Sequence, residues 1–346
     1  MIDAAALHRD LLTLDSHIDI PWPAGDDPFE RSPRRRVDLP KLREGGISAG
    51  CFAAYIPQGP TDPAGHHDAA ERCLAMLDRI REMDGERGGI RARPCSTAAA
   101  VEAAHRDGVI AVVPAIENAY CFGEDLALVP RVRALGACYV TLTHNGHNAA
   151  ADSAIPRRDL GDAEARHGGL SPFGRELVAA MNRHGLLVDV SHLSRDAMLQ
   201  AVDRSAVPVV ATHSCVRALC DHPRNLDDGQ LDALRDGGGL IQITAMPGFL
   251  RPRAEKPPGQ VDVSDLVDHL DYVVRRIGPE HVGISSDFDG GGAIAGWRDA
   301  SESGAVTAEL VRRGYGADEI ALFWGGNFLR LMRAAEGTAA PASTVD

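Results

Sequence analysis

Short apolar segments recur along the chain, separated by longer segments in which apolar residues return every three or four positions. The later short segments lack strict alternation with polar residues, which is typical of parallel strands buried on both faces. We therefore predict eight strands, at Leu11–Ile18, Ile47–Ile56, Val109–Ile116, Ala137–Leu142, Leu186–Val190, Val207–Ala211, Gly239–Ile243 and His281–Ser285.

Helical patterns with recognisable ends lie between the predicted strands. In one of them Ser171 suits the N-cap and Pro172 the first helical position, and the pattern ends before Gly185. Because strand and helix alternate, we expect right-handed crossovers and a parallel sheet. The other predicted helices are Thr97–Asp107, Asp125–Leu135, Ser194–Ser205, Leu226–Asp236, Val263–Ile277 and a final amphipathic helix at Asp318–Ala335.

This alternation predicts one α/β domain, a (β/α)8 TIM barrel over residues 1–337, followed by a disordered tail from Thr338 to Asp346. A chain of 346 residues, 44% of them hydrophobic, is long enough to form such a core. In barrels of this kind the carboxyl ends of the strands carry the chemistry. Three long irregular stretches follow predicted strands and should lie over that rim: Pro57–His67, Asn145–Leu170 and Phe288–Ser303.

Charge and hydropathy exclude some classes of partner. The formal net charge of -13 argues against nucleic acid, because proteins that bind phosphate backbones present basic surface. The basic run Arg31–Arg36 is too short to reverse this, and we interpret it as a solvated loop. No segment approaches the roughly 18 apolar residues of a membrane-spanning helix. We therefore expect neither a nucleic-acid nor a membrane partner.

The seven cysteines favour a reducing compartment. They are odd in number, form no CxxC motif and lie in several cases within predicted strands, as reduced core thiols do. The segment Met1–Asp10 carries acidic residues and no apolar core of the kind that a secretory signal needs. We expect a cytoplasmic protein, and its oligomeric state, a homo-oligomer included, stays open.

Metal-capable side chains close several predicted strands. His17 and Asp19 point to the same face of the first strand, about 7 Å apart, so one ion could accept both. Taken alone, such a pair more often marks a capped strand end than a metal site. Glu117 ends an apolar strand with no basic neighbour, which favours either a metal or a salt bridge to a distant arginine. Because one carboxylate can bind two ions, we expect Glu117 to bridge them.

Two histidines, His192 and His213, close the neighbouring fifth and sixth strands. Each alone would more often be a hydrogen-bonded core residue, but two at equivalent heights favour a shared ion such as Zn²⁺. Asp287 directly follows the eighth strand, and it suits proton transfer or a contact with a substrate amine. Asp289 is expected to form a turn.

The fourth strand ends at His144, where many bimetal barrel hydrolases have a carboxylated lysine as the bridge. The chain has only two lysines, Lys41 and Lys256, and neither lies there, which leaves Glu117 as the bridge. We assign His144 to the stabilisation of an oxyanion, because a tetrahedral intermediate needs a donor opposite the metals. Four histidines in predicted loops are interpreted as solvated or peripheral: His66, His67, His147 and His222.

Nearly end to end, the chain resembles the membrane (renal) dipeptidases, the M19 family of metal-dependent dipeptidases. The segments that carry the resemblance are together highly specific. They are DSHIDIPW (Asp15–Trp22), AIEN (Ala115–Asn118), LTHNGHNAAADS (Leu142–Ser153), GLSPFGRELVAAMNRHG (Gly169–Gly185), DVSHLS (Asp189–Ser194), HSCVRALCDHPRN (His213–Asn225) and GISSDFDG (Gly283–Gly290).

The resemblance implies a (β/α)8 barrel and a division of roles among the site residues. One zinc ion would be held by His17, Asp19 and Glu117. The other would be held by Glu117, His192 and His213. By the same likeness His144 would contact the scissile carbonyl oxygen and Asp287 would handle the proton. Arg224 would bind the carboxylate of the substrate through a bidentate guanidinium pair.

The resulting hypothesis is a dinuclear zinc dipeptidase. The metals would lower the pKa of a bridging water, the hydroxide would attack the peptide carbonyl, and Asp287 would deliver a proton to the departing amine. Acceptance of a D-residue at the carboxyl-terminal position stays open. In contrast to the secreted mammalian members, we expect neither a signal peptide nor a lipid-anchor tail nor a disulfide partner for Cys220, so membrane attachment is not carried over.

Two alternatives also stay open. One is another metal-dependent barrel hydrolase that acts on an N-acyl amino acid, a lactone or a β-lactam. The other is a non-catalytic metal-binding or interaction protein, against which the presence of His144, Arg224 and Asp287 argues.

Overall fold

Eight parallel strands form a closed barrel in the computed structural model, which describes residues 2–20 and 27–339. The order around the barrel is β1-β2-β5-β6-β7-β8-β9-β10. All eight predicted strands are present, and the (β/α)8 prediction is confirmed. The strands are β1 Leu14–Asp19, β2 Ala49–Tyr55, β3 Gly85–Arg87, β4 Ile90–Pro94, β5 Ile110–Glu117, β6 Tyr139–Thr141, β7 Leu187–Asp189, β8 Val210–Ser214, β9 Leu240–Thr244 and β10 Val282–Ser285.

The barrel closes between β1 and the segment that follows β10. The backbone N–H of Asp287 donates to His17 O over 3.1 Å, and that of Asp19 donates to Phe288 O over 3.1 Å. Ile18 and Phe288 form a parallel bridge between the two segments. Closure therefore places the end of the first strand and the residues after the last strand side by side on one rim.

Helices surround the barrel, and the predicted ones are all found within a few residues of their expected ends. Ser171 caps its helix as expected, accepting from Gly174 N over 2.9 Å. The helices are α1 Ala4–Asp10, α2 Leu39–Glu44, α3 Pro63–Arg81, α4 Ala98–Arg106, α5 Leu128–Ala134, α6 Pro172–Arg183, α7 Arg195–Arg204, α8 Asp228–Asp236, α9 Pro247–Leu250, α10 Val263–Ile277, α11 Gly304–Arg312, α12 Ala317–Ala321 and α13 Asn327–Glu336. No helix among the described residues has the length and apolar character needed to cross a membrane.

The final predicted helix is divided by a π-helical turn, Leu322–Gly326, between α12 and α13. A side chain at Gly325 would come within 2.9 Å of the backbone oxygen of Leu12, so a close approach of the chain requires glycine there. Below this turn, α13 packs against the first residues of several strands, and the ring of Phe328 lies 6.4 Å from that of Tyr139. The helix thereby closes the amino end of the barrel, leaving the carboxyl end for chemistry.

One hairpin was not predicted. Strands β3 and β4 pair antiparallel, and β4 continues beside the start of β5. Gly88 and Gly89 form the turn with φ values of 58° and 72°. β3 is only three residues long and exposed, so it lacks the apolar run by which the barrel strands were found.

The long loop after β6 is anchored by buried polar side chains. Asp152 accepts backbone N–H bonds from Arg166, His167 and Gly169 at 2.8–3.1 Å. The interpretation of His147 as solvated or peripheral is wrong. Its ring is buried, with Nδ1 accepting from Ser153 N over 3.0 Å and Nε2 donating to Ala163 O over 3.1 Å. The loop is therefore fixed over the carboxyl rim.

Part of the expected sequence features falls outside the described residues. This holds for Pro21 and Trp22 of the first resembling segment and for residues 340–346 of the expected tail. At the start of that tail, Thr338 Oγ1 donates to Asn182 O over 3.0 Å.

Candidate active site

Glu117, the last residue of β5, lies at the centre of a histidine cluster on the carboxyl rim. Its Oε1 is 3.2 Å from His192 Nε2 and 3.4 Å from His213 Nε2, and its Oε2 is 3.6 Å from His17 Nε2. His144 Nε2 is 3.9 Å from Oε1. Residues from four different strand ends therefore converge on one buried carboxylate.

The tautomer of His17 is fixed by its other ring nitrogen. His17 Nδ1 lies 2.8 Å from the hydroxyl of Tyr139, and that hydroxyl donates its own hydrogen to Ser16 O over 2.9 Å. The tyrosine oxygen must therefore accept from Nδ1–H. This leaves Nε2 to face Glu117, as a metal-ligating imidazole nitrogen does.

His192 and His213 are oriented in the same way. His213 Nδ1 lies 2.9 Å from Thr212 Oγ1, whose hydrogen goes to Asp189, and His192 Nδ1 donates to Asn145 Oδ1 over 3.2 Å. Burial, then Arg224, lowers the pKa of His192 well below its usual value, and burial, then His17, lowers that of His213 to about 3. Both rings are neutral, and their Nε2 lone pairs face each other across 2.9 Å.

These donors fit a divalent metal. Two ligands bound at the 2.0–2.1 Å typical of zinc in a tetrahedral site are about 3.4 Å apart, and the Glu117 to histidine distances of 3.2–3.6 Å match that spacing. Within the described part of the chain, His17 Nε2 and Asp19 Oδ1 are buried and have no hydrogen-bond partner. Two lone pairs that face each other, and buried nitrogen or oxygen atoms without a hydrogen-bond partner, both cost free energy. A metal cation bound between these atoms would remove that cost.

Two groups of donor atoms, each within 4.8 Å of one another, share Glu117. One contains His17 and His213, and the other contains His144 and His192. His213 lies close to both neighbours, because its Nε2 is 2.9 Å from His192 Nε2 and its ring centroid is 3.9 Å from that of His17. The division of ligands that the resemblance implied therefore stays a prediction. Asp19 belongs to neither group. Its Oδ2 lies against Gly290, in the turn after β10, where an added Cβ would be only 3.0 Å from this oxygen.

Charge in the site is dominated by carboxylates. Burial would raise the pKa of Glu117, but the positive charge of His17 outweighs burial and holds that pKa well below its usual range. Burial, then Glu117, raises the pKa of Asp19 well above its usual value. Burial would lower the pKa of His17, but Glu117, Asp287 and Asp19 outweigh it and raise it to about 9. A proton on His17 therefore takes the place of a cation in the metal-free protein.

This proton predicts a pH dependence of metal binding. His17 must lose this proton to bind a metal ion. The affinity of the site for the metal should therefore rise by at least about tenfold per pH unit from pH 7 towards pH 9 and become constant above pH 9. Competition with a chelator of known affinity across this pH range measures the slope. An affinity that does not change between pH 7 and 9 would contradict the proton on His17.

Two further predicted residues lie beside the cluster. Asp287 is buried, and burial raises its pKa to about 7 against the opposing effect of His17. Arg224 is also buried, with Nη2 donating to His213 O over 3.0 Å and its guanidinium carbon 5.4 Å from the ring centroid of Phe249. Arg224 Nε has no hydrogen-bond partner among the described residues, so donor capacity remains for a ligand.

Strained backbone is concentrated at this rim. Apart from glycine, the described residues with positive φ are Asn118, His192, Asp287 and Asp289, at 57° to 84°. Each follows a barrel strand, and two of them are predicted site residues. Such conformations cost of order 1–3 kcal/mol each and persist where the surrounding structure imposes them. Asparagine, aspartate and histidine adopt positive φ more often than other residues apart from glycine. Residue type alone does not single out these four positions among the many of the same type.

Sequence reasoning missed the residues that orient the histidines. Asp189, buried at the end of β7, accepts hydroxyl hydrogen bonds from Thr212 over 2.7 Å and from Thr141 over 2.5 Å. Its other oxygen accepts backbone N–H bonds from Ser191 and Thr212, each over 3.0 Å. Asp189 thus fixes the direction of the Thr212 hydroxyl, which in turn fixes His213. The position of Asp189 at the end of a barrel strand was the one sequence feature that could have indicated a role in the site.

Replacing Asp189 by asparagine should weaken metal binding by roughly 10- to 100-fold, as loss of outer ligand-orienting partners generally does. The asparagine NH2 would donate to Thr212, which would then donate to His213 Nδ1 and force a proton onto Nε2. Zinc titration monitors the affinity, with Thr212→Ser as the control that keeps the hydroxyl. Wild-type affinity in Asp189→Asn would rule out the relay.

The sequence model of the membrane dipeptidase family, peptidase family M19, matches residues 1–345. The chain belongs to this family. The dipeptidase tcpJ of Claviceps purpurea is 34% identical over 88% of this chain and 70% of its own length. Dipeptidase 3 of Rattus norvegicus is 31% identical over 96% of this chain and 67% of its own length. The resemblance to M19 dipeptidases is thereby confirmed, and the protein is a metal-dependent hydrolase of the dipeptidase type.

Two solved structures with related sequences agree with this chain in fold. The probable dipeptidase PvdM from Pseudomonas aeruginosa has a TM-score of 0.88 and 30% identity, covering 97% of this chain and 98% of its own. A metallopeptidase from Rhodobacter sphaeroides, solved with a phosphinate mimic of the dipeptide L-Ala-D-Ala, has a TM-score of 0.80 and 26% identity. It covers 94% of this chain and 99% of its own.

Proposed function

We propose that this M19 dipeptidase hydrolyses dipeptides at a centre of two zinc ions that share Glu117. The neutral His192 and His213, whose Nε2 atoms face each other across 2.9 Å beside Glu117, carry this proposal. His17 and Asp19 would complete the ligand set, since both present buried atoms without a hydrogen-bond partner in the described structure. Bound there, the ions would polarise the peptide carbonyl and lower the pKa of a water that attacks it.

His144 is the residue we propose to contact the carbonyl oxygen. Burial lowers its pKa, so the ring is neutral near pH 7 and can donate one hydrogen bond as charge develops. Its ring packs edge-on against Tyr55, with centroids 4.9 Å apart, which restricts its orientation. Because His144 also approaches Glu117 Oε1, it lies where a carbonyl bound at the centre would meet it.

Asp287 is the residue we propose to transfer the proton. A pKa of about 7 suits a group that must both accept and release a proton at neutral pH. It would hold the proton taken from the attacking water and give it to the departing amine. The turn after β10 supports this role, because the N–H groups of Gly290, Gly291 and Gly292 all donate to Asp287 O at 2.8–3.2 Å and fix its position.

Arg224 is the residue we propose to bind the substrate carboxylate. A buried guanidinium without an ion-pair partner in the described structure is costly, and burial lowers its pKa to about 10. A carboxylate bound in the site would offset that cost through paired hydrogen bonds. We include dipeptides with a D-residue at the carboxyl-terminal position, because the related Rhodobacter sphaeroides enzyme was solved with a mimic of L-Ala-D-Ala.

Hydrolysis of matched substrates by zinc-reconstituted protein tests the proposed function. L-Ala-L-Ala and L-Ala-D-Ala should be cleaved, and N-acetyl-L-alanine should not, because it lacks the free amine that the buried Asp287 is suited to contact. Cleavage of the N-acyl amino acid alone, or of a β-lactam alone, would identify a different barrel hydrolase. Tight zinc binding without hydrolysis of any of these compounds would identify a non-catalytic metal-binding protein.

We further propose a cytoplasmic location. All seven cysteines lie among the described residues, are buried and form no disulfide, which suits a reducing compartment. Fractionation of cells that produce the protein, with thiol labelling before and after denaturation, tests this proposal. Recovery with the membrane or secreted fraction would overturn it.

A further inference from the structure

A cleft of about 730 Å³ lies beside the catalytic rim, and its walls are strongly basic. We name it the basic cleft; its walls are the run Arg31–Arg36, Lys41, Arg298, Asp299 and the turn residues Asp289 and Gly291. Six of its lining side chains are basic and two are acidic. Two of the basic side chains also pair with acidic residues outside the cleft, Arg31 with Glu44 and Arg298 with Glu302, the latter over 3.8 Å. In a chain with a net charge of -13, this concentration of positive charge is unusual, and no catalytic step described above uses it.

Buried ionic groups hold one wall of the basic cleft in place. Lys41 is buried, and its Nζ donates to Ser32 O over 2.9 Å and to Arg35 O. Asp38 and Asp299 lie 3.6 Å and 3.7 Å from the same nitrogen. The charge of Lys41 is therefore used within the protein, where it fixes the backbone from which the arginines extend.

A second set of contacts ties the basic run to the turn after β10. Asp289 accepts the backbone N–H of Arg36 over 2.9 Å and that of Val37 over 3.3 Å. The guanidinium of Arg36 donates to Arg298 O over 2.8 Å, and Ala300 N donates to Arg36 O over 3.0 Å. The run is an exposed loop, as expected, and its arginine side chains extend from a backbone held in defined positions.

The basic cleft and Asp287 share one structural element. Asp289 and Gly291 line the cleft, while Asp287, at the start of the same turn, belongs to the catalytic site. Arg224 lies further around the barrel, after β8, whereas the cleft lies between the loops that follow β10 and β1. A dipeptide whose carboxylate meets Arg224 would thus extend its amino-terminal residue towards Asp287 and the cleft.

We propose that the basic cleft receives the acidic side chain of the dipeptide's amino-terminal residue, aspartate or glutamate. The inference rests on the proposed dipeptidase function and adds a substrate class to it. Guanidinium groups match carboxylates in shape and charge, and a cleft that concentrates one sign of charge attracts the opposite charge. An acidic substrate is therefore the ligand that such walls recognise.

Two pairs of neutral and acidic substrates test this inference on the zinc-reconstituted enzyme. In wild type, kcat/KM for Glu-Ala should exceed that for isosteric Gln-Ala by roughly 10- to 100-fold, the value of one hydrogen-bonded charge pair. Ala-Glu and Ala-Gln should differ much less. In Arg36→Gln/Arg298→Gln the Glu-Ala preference should fall to about twofold or less. It should persist in Arg79→Gln/Arg81→Gln, which removes the same charge from exposed positions on α3.

The outcomes are distinguishable. Equal kcat/KM for Glu-Ala and Gln-Ala in wild type, or a preference that survives in Arg36→Gln/Arg298→Gln, overturns the inference and leaves the dipeptidase function intact. Calorimetry with inorganic phosphate that shows binding at the cleft without any Glu-Ala preference also overturns it, because the site then serves a free anion. If no dipeptide is cleaved, the proposed function fails and the inference fails with it.

The single variant Arg298→Gln, at a largely exposed side chain, controls for misfolding of the double variant. It should lose part of the preference for Glu-Ala over Gln-Ala.

Discussion

Glu117→Gln is expected to lose tight metal binding and, with it, almost all dipeptide hydrolysis. Among the described residues, Glu117 is the one carboxylate that lies within 3.2–3.6 Å of His17, His192 and His213. Removing one charge from a buried, mutually paired set costs about 3–5 kcal/mol, which corresponds to roughly 10²- to 10⁴-fold weaker binding. Zinc titration and turnover of Ala-Ala at limiting zinc measure the two effects on the same preparation.

Glu124→Gln provides the matched control, because this exposed residue follows the same strand and loses the same charge. It should bind zinc and turn over Ala-Ala as the wild type does. Wild-type zinc affinity in Glu117→Gln would show that this carboxylate does not hold the metals, and the proposed centre would have to be abandoned.

Asp287→Asn should bind metal normally but lose about 10²- to 10⁴-fold in kcat, the usual contribution of a general acid or base. Asparagine preserves the size of the side chain but carries no transferable proton. Burial raises the pKa of Asp287 to about 7, so in wild type the carboxylate form is lost as pH falls through that value. Activity that depends on this base should therefore fall below pH 7, and Asp287→Asn should lose that limb of the profile.

The control for this prediction is Asp221→Asn, at a largely exposed aspartate in the loop after β8. Zinc content, melting temperature and kcat should all match wild type in that variant. An Asp287→Asn enzyme with wild-type kcat would remove Asp287 from the proton transfer, whatever its zinc content.

The barrel could be predicted from sequence because its strands are buried on both faces and therefore appear as continuous apolar runs, as in Ile110–Glu117. The β3–β4 hairpin could not, because only Ile90 and Ala92 of it are buried. The convergence of Glu117 with His192 and His213 followed from strand ends sharing one rim.

Other parts of the site depend on contacts that no local pattern reveals. Tyr139 is fully buried and resembles an ordinary core residue, yet its hydroxyl orients His17. The positive φ of His192 and Asp287 arises from the tertiary structure and has no glycine to signal it. The closeness of the His213 and His17 rings, whose centroids lie 3.9 Å apart, is also a property of the three-dimensional structure that the sequence pattern does not reveal.

Anomalous diffraction from crystals of the zinc-loaded protein tests the central claim most directly. Two anomalous peaks about 3.5–4 Å apart are expected, as in other two-metal sites, with Glu117 between them and His17, His192 and His213 as ligands. The absence of a peak at Glu117, or a single peak at a site remote from these histidines, would contradict the account.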